Sequence, residues 1–166
     1  MIAELYPIRD CPVGRLAIMP RPRAGDWLED EAASWRRQQI DTAVSLLEDD
    51  EIAELGLSEE AAACVKAGLR FVRLPVPDRG VPASELAVSE LIAILIDELR
   101  QGRGIAIHCR IGVGRSASLA VCVLVTLGIP IDSAWSMVEQ SRGLSVPDTP
   151  TQKEWVTTFF TAKVAE

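Results

Sequence analysis

The chain has 166 residues, of which 48% are hydrophobic and 25% charged, a composition that fits one compact domain with its own core and leaves little room for a second. Intrinsic disorder, collagen-like repeats and a disulfide scaffold are excluded on the same ground. With 17 lysines and arginines against 24 aspartates and glutamates, the formal charge is −7, which argues against broad adhesion to nucleic acid or to an anionic membrane. Any phosphate it binds has to be gripped locally.

Met1 to Pro7 lacks the basic flank and apolar run of a secretory signal, and no apolar stretch approaches the roughly 18 residues of a membrane span. A cytoplasmic protein without membrane or nucleic-acid partners is the expectation. Arg15 to Met19 reads as a short strand stopped by Pro20 and Pro22. A charged helix follows from Asp26, placed to cap its first turn, to about Gln38. Its Trp27 and Trp35 are expected to pack against the sheet rather than form a ligand box. Thr42 to Leu47 reads as a buried strand, and the acidic run Glu48 to Glu51 as a solvated first turn that complements a helix dipole.

A helix over Ser58 to Ala67 ends at Gly68, and Leu69 to Leu74 is the next strand. Pro75 to Pro82 is a stiff loop, since its prolines forbid helix and central strand. From Ser84, the positions Val88, Leu91, Ile92, Leu95, Ile96 and Leu99 follow the spacing of an amphipathic helix. Gly104 to His108 is a short apolar central strand, Ser116 to Leu127 an apolar helix, and two more helices span Ile131 to Ser141 and Pro150 to Val164. Strands alternating with helices imply an α/β fold: a mainly parallel sheet with helices on both faces, and ligands bound at the carboxyl ends of its strands. With no repeat and no low-complexity linker, residues 1–166 are treated as a single domain.

Between the strand at Ile105 and the helix at Ala117 lies His108-Cys109-Arg110-Ile111-Gly112-Val113-Gly114-Arg115-Ser116. A loop at such a turn points backbone N–H groups inward, and the helix N-terminus behind it completes a cradle for a tetrahedral dianion. The same dipoles, with Arg115, favour the thiolate of Cys109, whose free form titrates near pH ~8.5. Arg115 can fold back over the mouth and bind two phosphate oxygens side by side, a fork that lysine lacks. A leaving alkoxide or phenolate needs a proton, and Asp78 on the proline-rich loop is the best-placed donor. The same carboxylate, once ionised, can take a proton from the attacking water. Asp132 and Asp148 are the competitors, set aside as residues at helix starts.

The segment resembles the signature His-Cys-x5-Arg-Ser/Thr of the cysteine-dependent protein tyrosine phosphatase superfamily, and the compact length and Pro77-Asp78 loop look most like its dual-specificity branch. The resemblance covers about Thr42 to Trp155. It implies that Cys109 is the nucleophile forming a phosphocysteine and that Arg115 binds the substrate phosphate and the transition state. It further implies that Ser116 hydrogen-bonds the Cys109 sulfur, that His108 orients the loop, and that Asp78 is the general acid. Arg110, Ile111, Gly112, Val113 and Gly114 fall on the family's phosphate-binding loop, and Gln152 resembles a glutamine that positions the hydrolytic water in parts of the superfamily.

The variable cradle positions carry only one extra cation, Arg110, whereas family members acting on highly phosphorylated lipids or inositols often carry added lysines there. Phosphoprotein is therefore the expected substrate. A phosphoinositide or nucleotide, or a catalytically weak phosphate-binding module, is the alternative, and the oligomeric state stays open. No cofactor is implied. The four cysteines Cys11, Cys64, Cys109 and Cys122 are widely spaced, and a zinc site would have to combine them with the single His108. Gly112 to Ala117 also satisfies Gly-x-Gly-x-x-Ala, but the first glycine stands too far beyond the strand for a dinucleotide site, and Gly-Lys-Ser/Thr is missing for a Walker loop. Sulfur or arsenate chemistry would need a resolving thiol, and Cys122 falls inside the apolar helix.

Overall fold

Alternation along the strands decides which helices cover which face. In the computed structural model, which describes residues 1–165 and the side chains through residue 162, five strands form one sheet. Their spatial order is β1 (Tyr6–Pro7), β2 (Arg15–Met19), β5 (Gly104–His108), β3 (Thr42–Ser45) and β4 (Arg70–Arg73). β2, β5, β3 and β4 are parallel, and β1 joins the edge antiparallel to β2.

Side chains two apart share a face. Leu16, Ile18, Val44, Ile105 and Ile107 point to one side, where they form a core with α4 (Glu85–Arg100), α5 (Arg115–Thr126), α6 (Ile131–Arg142) and α7 (Pro150–Ala165). The smaller Ala17, Ala43 and Ala106 point to the other and, with Met19, pack against α1 (Trp27–Arg37) and α3 (Glu60–Ala67). α2 (Asp49–Leu55) fills the connection from β3 to α3. The expected α/β architecture with helices on both faces is the one observed.

Local chemistry accounts for the helix ends that frame the site. Ser84 caps α4 by accepting from the Ala87 N–H at 3.1 Å, and Gly56 and Gly68 close α2 and α3 in the left-handed conformation. α5 is apolar on almost every side, with Ala117, Ala120, Val121 and Leu124 fully buried. Its N-terminus is thereby held against the carboxyl end of β5.

Three expectations are corrected. Asp26 stands at the N-cap of α1 but in helical conformation and without a side-chain capping bond. Trp35 packs in the core, whereas Trp27 is 51% exposed with the Arg23 guanidinium stacked on it, so only one of the two tryptophans serves the sheet. The edge strand β1 was not anticipated; Pro7 is tolerated there because an edge position does not need its missing N–H.

Candidate active site

β5 stops at His108 and α5 starts at Arg115, so residues 109–114 form the strand-to-helix turn expected of a phosphate cradle. Gly112 takes φ +73°, and a side chain there would come within 2.7 Å of the Met19 carbonyl oxygen. Only glycine fits that close approach. The loop carbonyls are drawn outward. Arg21 N–H donates to Arg110 C=O at 3.0 Å, and the Arg142 guanidinium on α6 donates to Gly112 C=O at 3.0 Å and Ile111 C=O at 2.9 Å. With these carbonyls engaged away from it, the loop has its N–H groups to offer an anion, the chemistry of an anion-binding nest.

Cys109 is 3% exposed, and its sulfur lies 3.3 Å from the hydroxyl of the fully buried Ser116. The cavity above it has a volume of about 160 Å³, and its walls include Arg115, Asp78 and Asp148 together with Arg79, Arg110 and Ile111. Two of the other thiols are unsuited to nucleophilic work. Burial, with Glu60 nearby, pushes Cys64 up to about 12, and burial also raises Cys11.

Arg115 is held by a residue that sequence reasoning assigned to solvent. Glu51 in α2 is buried and accepts two hydrogen bonds from the guanidinium, at 2.7 Å and 2.9 Å. Val76 C=O takes a further one at 2.8 Å, and Asp78 accepts from Nη2 at 3.0 Å. Burial opposes ionisation of Glu51, but bonds from Arg115, the Glu48 backbone and Arg110 outweigh it and hold the carboxyl at about 2. Burial likewise works against the charge on Arg115, and Glu51, the Cys109 sulfur and Asp78 more than offset it. The acidic run is thus not a uniformly solvated turn. Glu48 and Glu51 close a capping box on each other, which pins Glu51 with its carboxylate turned inward.

His108 is likewise fixed by an unanticipated partner. Its Nδ1 lies 3.2 Å from the Cys109 carbonyl and its Nε2 2.6 Å from Glu60 in α3, with both side chains buried. A carbonyl only accepts, so the Nδ1 contact fits the tautomer that donates to it, with Nε2 facing the Glu60 carboxyl group.

The remaining expected site residues divide. Gln152 is buried beside the cradle, donating to Gly80 C=O at 3.3 Å and accepting from Thr149 N–H at 3.2 Å, so it bridges the Asp78 loop and α7. Ile111 is 56% exposed at the mouth, whereas Val113 turns its side chain into the core and can offer phosphate only its backbone. The Arg110 guanidinium is turned aside onto Glu51 at 3.1 Å and Glu54 at 3.0 Å, while the residue itself lines the cavity. Asp148, set aside as a helix-start residue, reaches the cavity. Among the described residues, no group of three or more His, Cys, Asp or Glu side chains could hold a metal ion.

A family model described as Tc-R-P, polymorphic toxin system, DSP-PTPase phosphatase, matches residues 17–129. The chain belongs to this family. Residues 17–129 thus form a DSP-PTPase phosphatase domain, a hydrolase domain of the compact dual-specificity type within the protein tyrosine phosphatase superfamily, whose members act on phosphorylated substrates. This phosphatase is 32% identical over 96 residues, or 53% of its length, to protein tyrosine phosphatase domain-containing protein 1 of Mus musculus, and spans 13% of that relative's length. Its fold matches that of kinase associated phosphatase carrying serine for its catalytic-site cysteine, with a TM-score of 0.89 at 18% identity over 100% of this chain and 98% of that one. Tk-PTP in its active form matches with a TM-score of 0.74 at 27% identity, over 88% of this chain and 91% of the other.

Proposed function

We propose that this phosphatase hydrolyses phosphate monoesters on proteins, phosphotyrosine and also phosphoserine or phosphothreonine, through a phosphocysteine at Cys109. The observation that carries this reading is the arrangement of Arg115. Its guanidinium is oriented by Glu51 on one side and reaches Asp78 at 3.0 Å on the other, over the same cavity that Cys109 lines. Asp78 occupies an Nη2 donor that a phosphate oxygen would take. A bound phosphate dianion displaces it and leaves the Asp78 carboxyl free to face the leaving group.

The Cys109 thiolate then attacks phosphorus, the bond from phosphorus to the ester oxygen breaks, and that oxygen takes the proton that the Asp78 carboxylate picks up from solvent once phosphate has displaced it from Arg115. Arg115 and the loop N–H groups hold the equatorial oxygens, whose charge they stabilise best in the transition state. Water next cleaves the phosphorus–sulfur bond, and the Ser116 hydroxyl, 3.3 Å from the sulfur, donates to the departing thiolate.

Protein substrates are favoured over polyphosphorylated lipids by the charge inside the bowl. Arg110 is committed to Glu51 and Glu54, so one guanidinium remains for the phosphate, which suits a single dianion. The exposed Arg79 on the cavity wall suits acidic residues beside a phosphorylated side chain.

Rapid acid quench during turnover of a labelled phosphotyrosyl peptide tests the mechanism. Phosphorus on Cys109, absent in Cys109→Ser although the variant still binds the peptide, is the expected result. Normal turnover by Cys109→Ser overturns the mechanism, and faster turnover of phosphoinositide vesicles than of phosphopeptides overturns the substrate assignment.

A further inference from the structure

Two large aliphatic side chains stay exposed at the mouth of the cavity above Cys109. Ile111 lines the cavity and is 56% exposed, and Leu144, on the connection from α6 to α7, is 50% exposed. The chain holds Leu144 between two fixed points. Arg142, two residues before it, donates to Ile111 C=O at 2.9 Å and to Gly112 C=O at 3.0 Å. Asp148, four residues after it, lines the same cavity. Two extended residues span at most about 7 Å, so Leu144 stays close to the arginine that grips the nucleophile loop. A single exposed aliphatic residue needs no explanation. Two on the rim of a phosphate-binding cavity form apolar surface where a substrate lies once its phosphate is seated.

The rest of the rim is charged. Asp78 and the exposed Arg79 come from the proline-rich loop, and Arg110 is tied to Glu51 and Glu54. Apolar carbon is therefore confined to the side that α6 supports, and that side is stiff. The Arg142 guanidinium lies 4.0 Å over the Tyr6 ring while it holds the two loop carbonyls. Gly143 closes α6 in the left-handed conformation at φ +78°, which sets the direction in which the chain leaves toward Leu144. Side chains carried on backbone that is already ordered lose little freedom when a partner covers them.

We propose that Ile111 and Leu144 form a recognition surface for an apolar side chain next to the phosphorylated residue of a protein substrate; the proposal rests on the phosphoprotein reading above and narrows it. With its phosphate on Arg115, such a substrate buries an aliphatic or aromatic neighbour against the two side chains. A membrane would also cover exposed aliphatic carbon, but the formal charge of −7 opposes approach to anionic lipid, whereas the phosphate of a peptide itself brings the neighbouring residue to the rim. The contact forms away from the reacting atoms and is the same in ground and transition states, so it acts on KM and leaves kcat alone.

The test is steady-state hydrolysis, by the full chain, of paired phosphotyrosyl peptides that differ only beside the phosphorylated residue, leucine in one and serine in the other, on its N-terminal and then its C-terminal side. On one of the two sides, wild type is expected to prefer leucine by about tenfold in kcat/KM, carried by KM. Leu144→Ser and Ile111→Ser each shrink that ratio, the double substitution brings it near one, and Leu144→Met retains it. Because the ratio compares two substrates on one enzyme, a general effect of a substitution on the loop cancels. Equal kcat/KM for leucine and serine peptides in wild type, or a preference that survives the double substitution, overturns the proposal. Turnover of phosphoinositide vesicles that exceeds that of the peptides and falls in Leu144→Ser assigns the surface to a lipid and overturns it too. If wild type hydrolyses phosphoinositide and none of the peptides, the phosphoprotein reading itself falls and takes this proposal with it.

Discussion

Glu60 Oε2 lies 2.6 Å from His108 Nε2, and the two side chains are 3% and 0% exposed. The contact links α3 to the residue preceding the nucleophile, whose carbonyl accepts from the other ring nitrogen. Replacing Glu60 by leucine strands His108 Nε2 without a partner and is expected to destabilise the fold by about 3–5 kcal/mol. Glu60→Gln keeps a hydrogen bond by donating its amide to a neutral ring, at a smaller cost of about 1–2 kcal/mol. Urea denaturation should rank wild type, Glu60→Gln and Glu60→Leu in that order. Slower alkylation of Cys109 by iodoacetamide in Glu60→Gln would show that the pair also tunes the sulfur; an unchanged rate confines Glu60 to structure.

Glu51 makes stability depend on acid. Its carboxyl is held at about 2 in the folded state, against ~4.3 for an unfolded glutamate. A depressed folded value means that the stabilisation is complete above the unfolded pKa and is lost as pH falls through the folded one. The loss therefore runs from pH ~4.5 down to ~2 and amounts to no more than about 3 kcal/mol. Denaturant midpoints measured across that range should fall for wild type and stay flatter for Glu51→Gln.

The same substitution loosens Arg115. With the two bonds from Glu51 weakened, the guanidinium is no longer held for side-by-side contact with phosphate. A loss of about a hundredfold in kcat/KM is expected, carried by both kcat and KM. Wild-type kinetics in Glu51→Gln would show that the loop alone orients the arginine.

Asp78 competes with phosphate for Arg115. Asp78→Ala should therefore bind inorganic phosphate about two- to fivefold more tightly, the scale of a partly exposed ion pair, while turnover of poor leaving groups such as phenyl phosphate collapses. Inhibition constants and a leaving-group series separate the two effects. Weaker phosphate binding in Asp78→Ala would contradict the exchange of Asp78 for substrate.

Gly112→Ala should disable the enzyme without unfolding it. A left-handed alanine costs about 1–2 kcal/mol, and its methyl group would stand 2.7 Å from the Met19 carbonyl oxygen, forcing the loop away from β2. Activity is expected to fall far more than Tm, which calorimetry and p-nitrophenyl phosphate turnover together would show.

Features whose determinants lie close together in the chain were legible without a structure. The nucleophile, the glycines, the arginine and the serine occupy one short segment, and the apolar runs around it determine the strand on one side and the helix on the other. The stop at Gly68, the helix start at Ser84 and the break in the proline-rich loop are equally local. The partners that orient those groups are not. Glu51 and Arg115 are 64 positions apart, and Glu60 and His108 are 48 apart; they meet because β3 pairs beside β5 and brings α2 and α3 to the same end of the sheet. Asp148 and Arg142 arrive from beyond α5 because α6 and α7 pack against that helix. An acidic residue in a run of four looks solvated until a parallel register puts a guanidinium opposite it. Only tertiary structure decides that, because the burial that gives such a charge its effect comes from the elements that cover it.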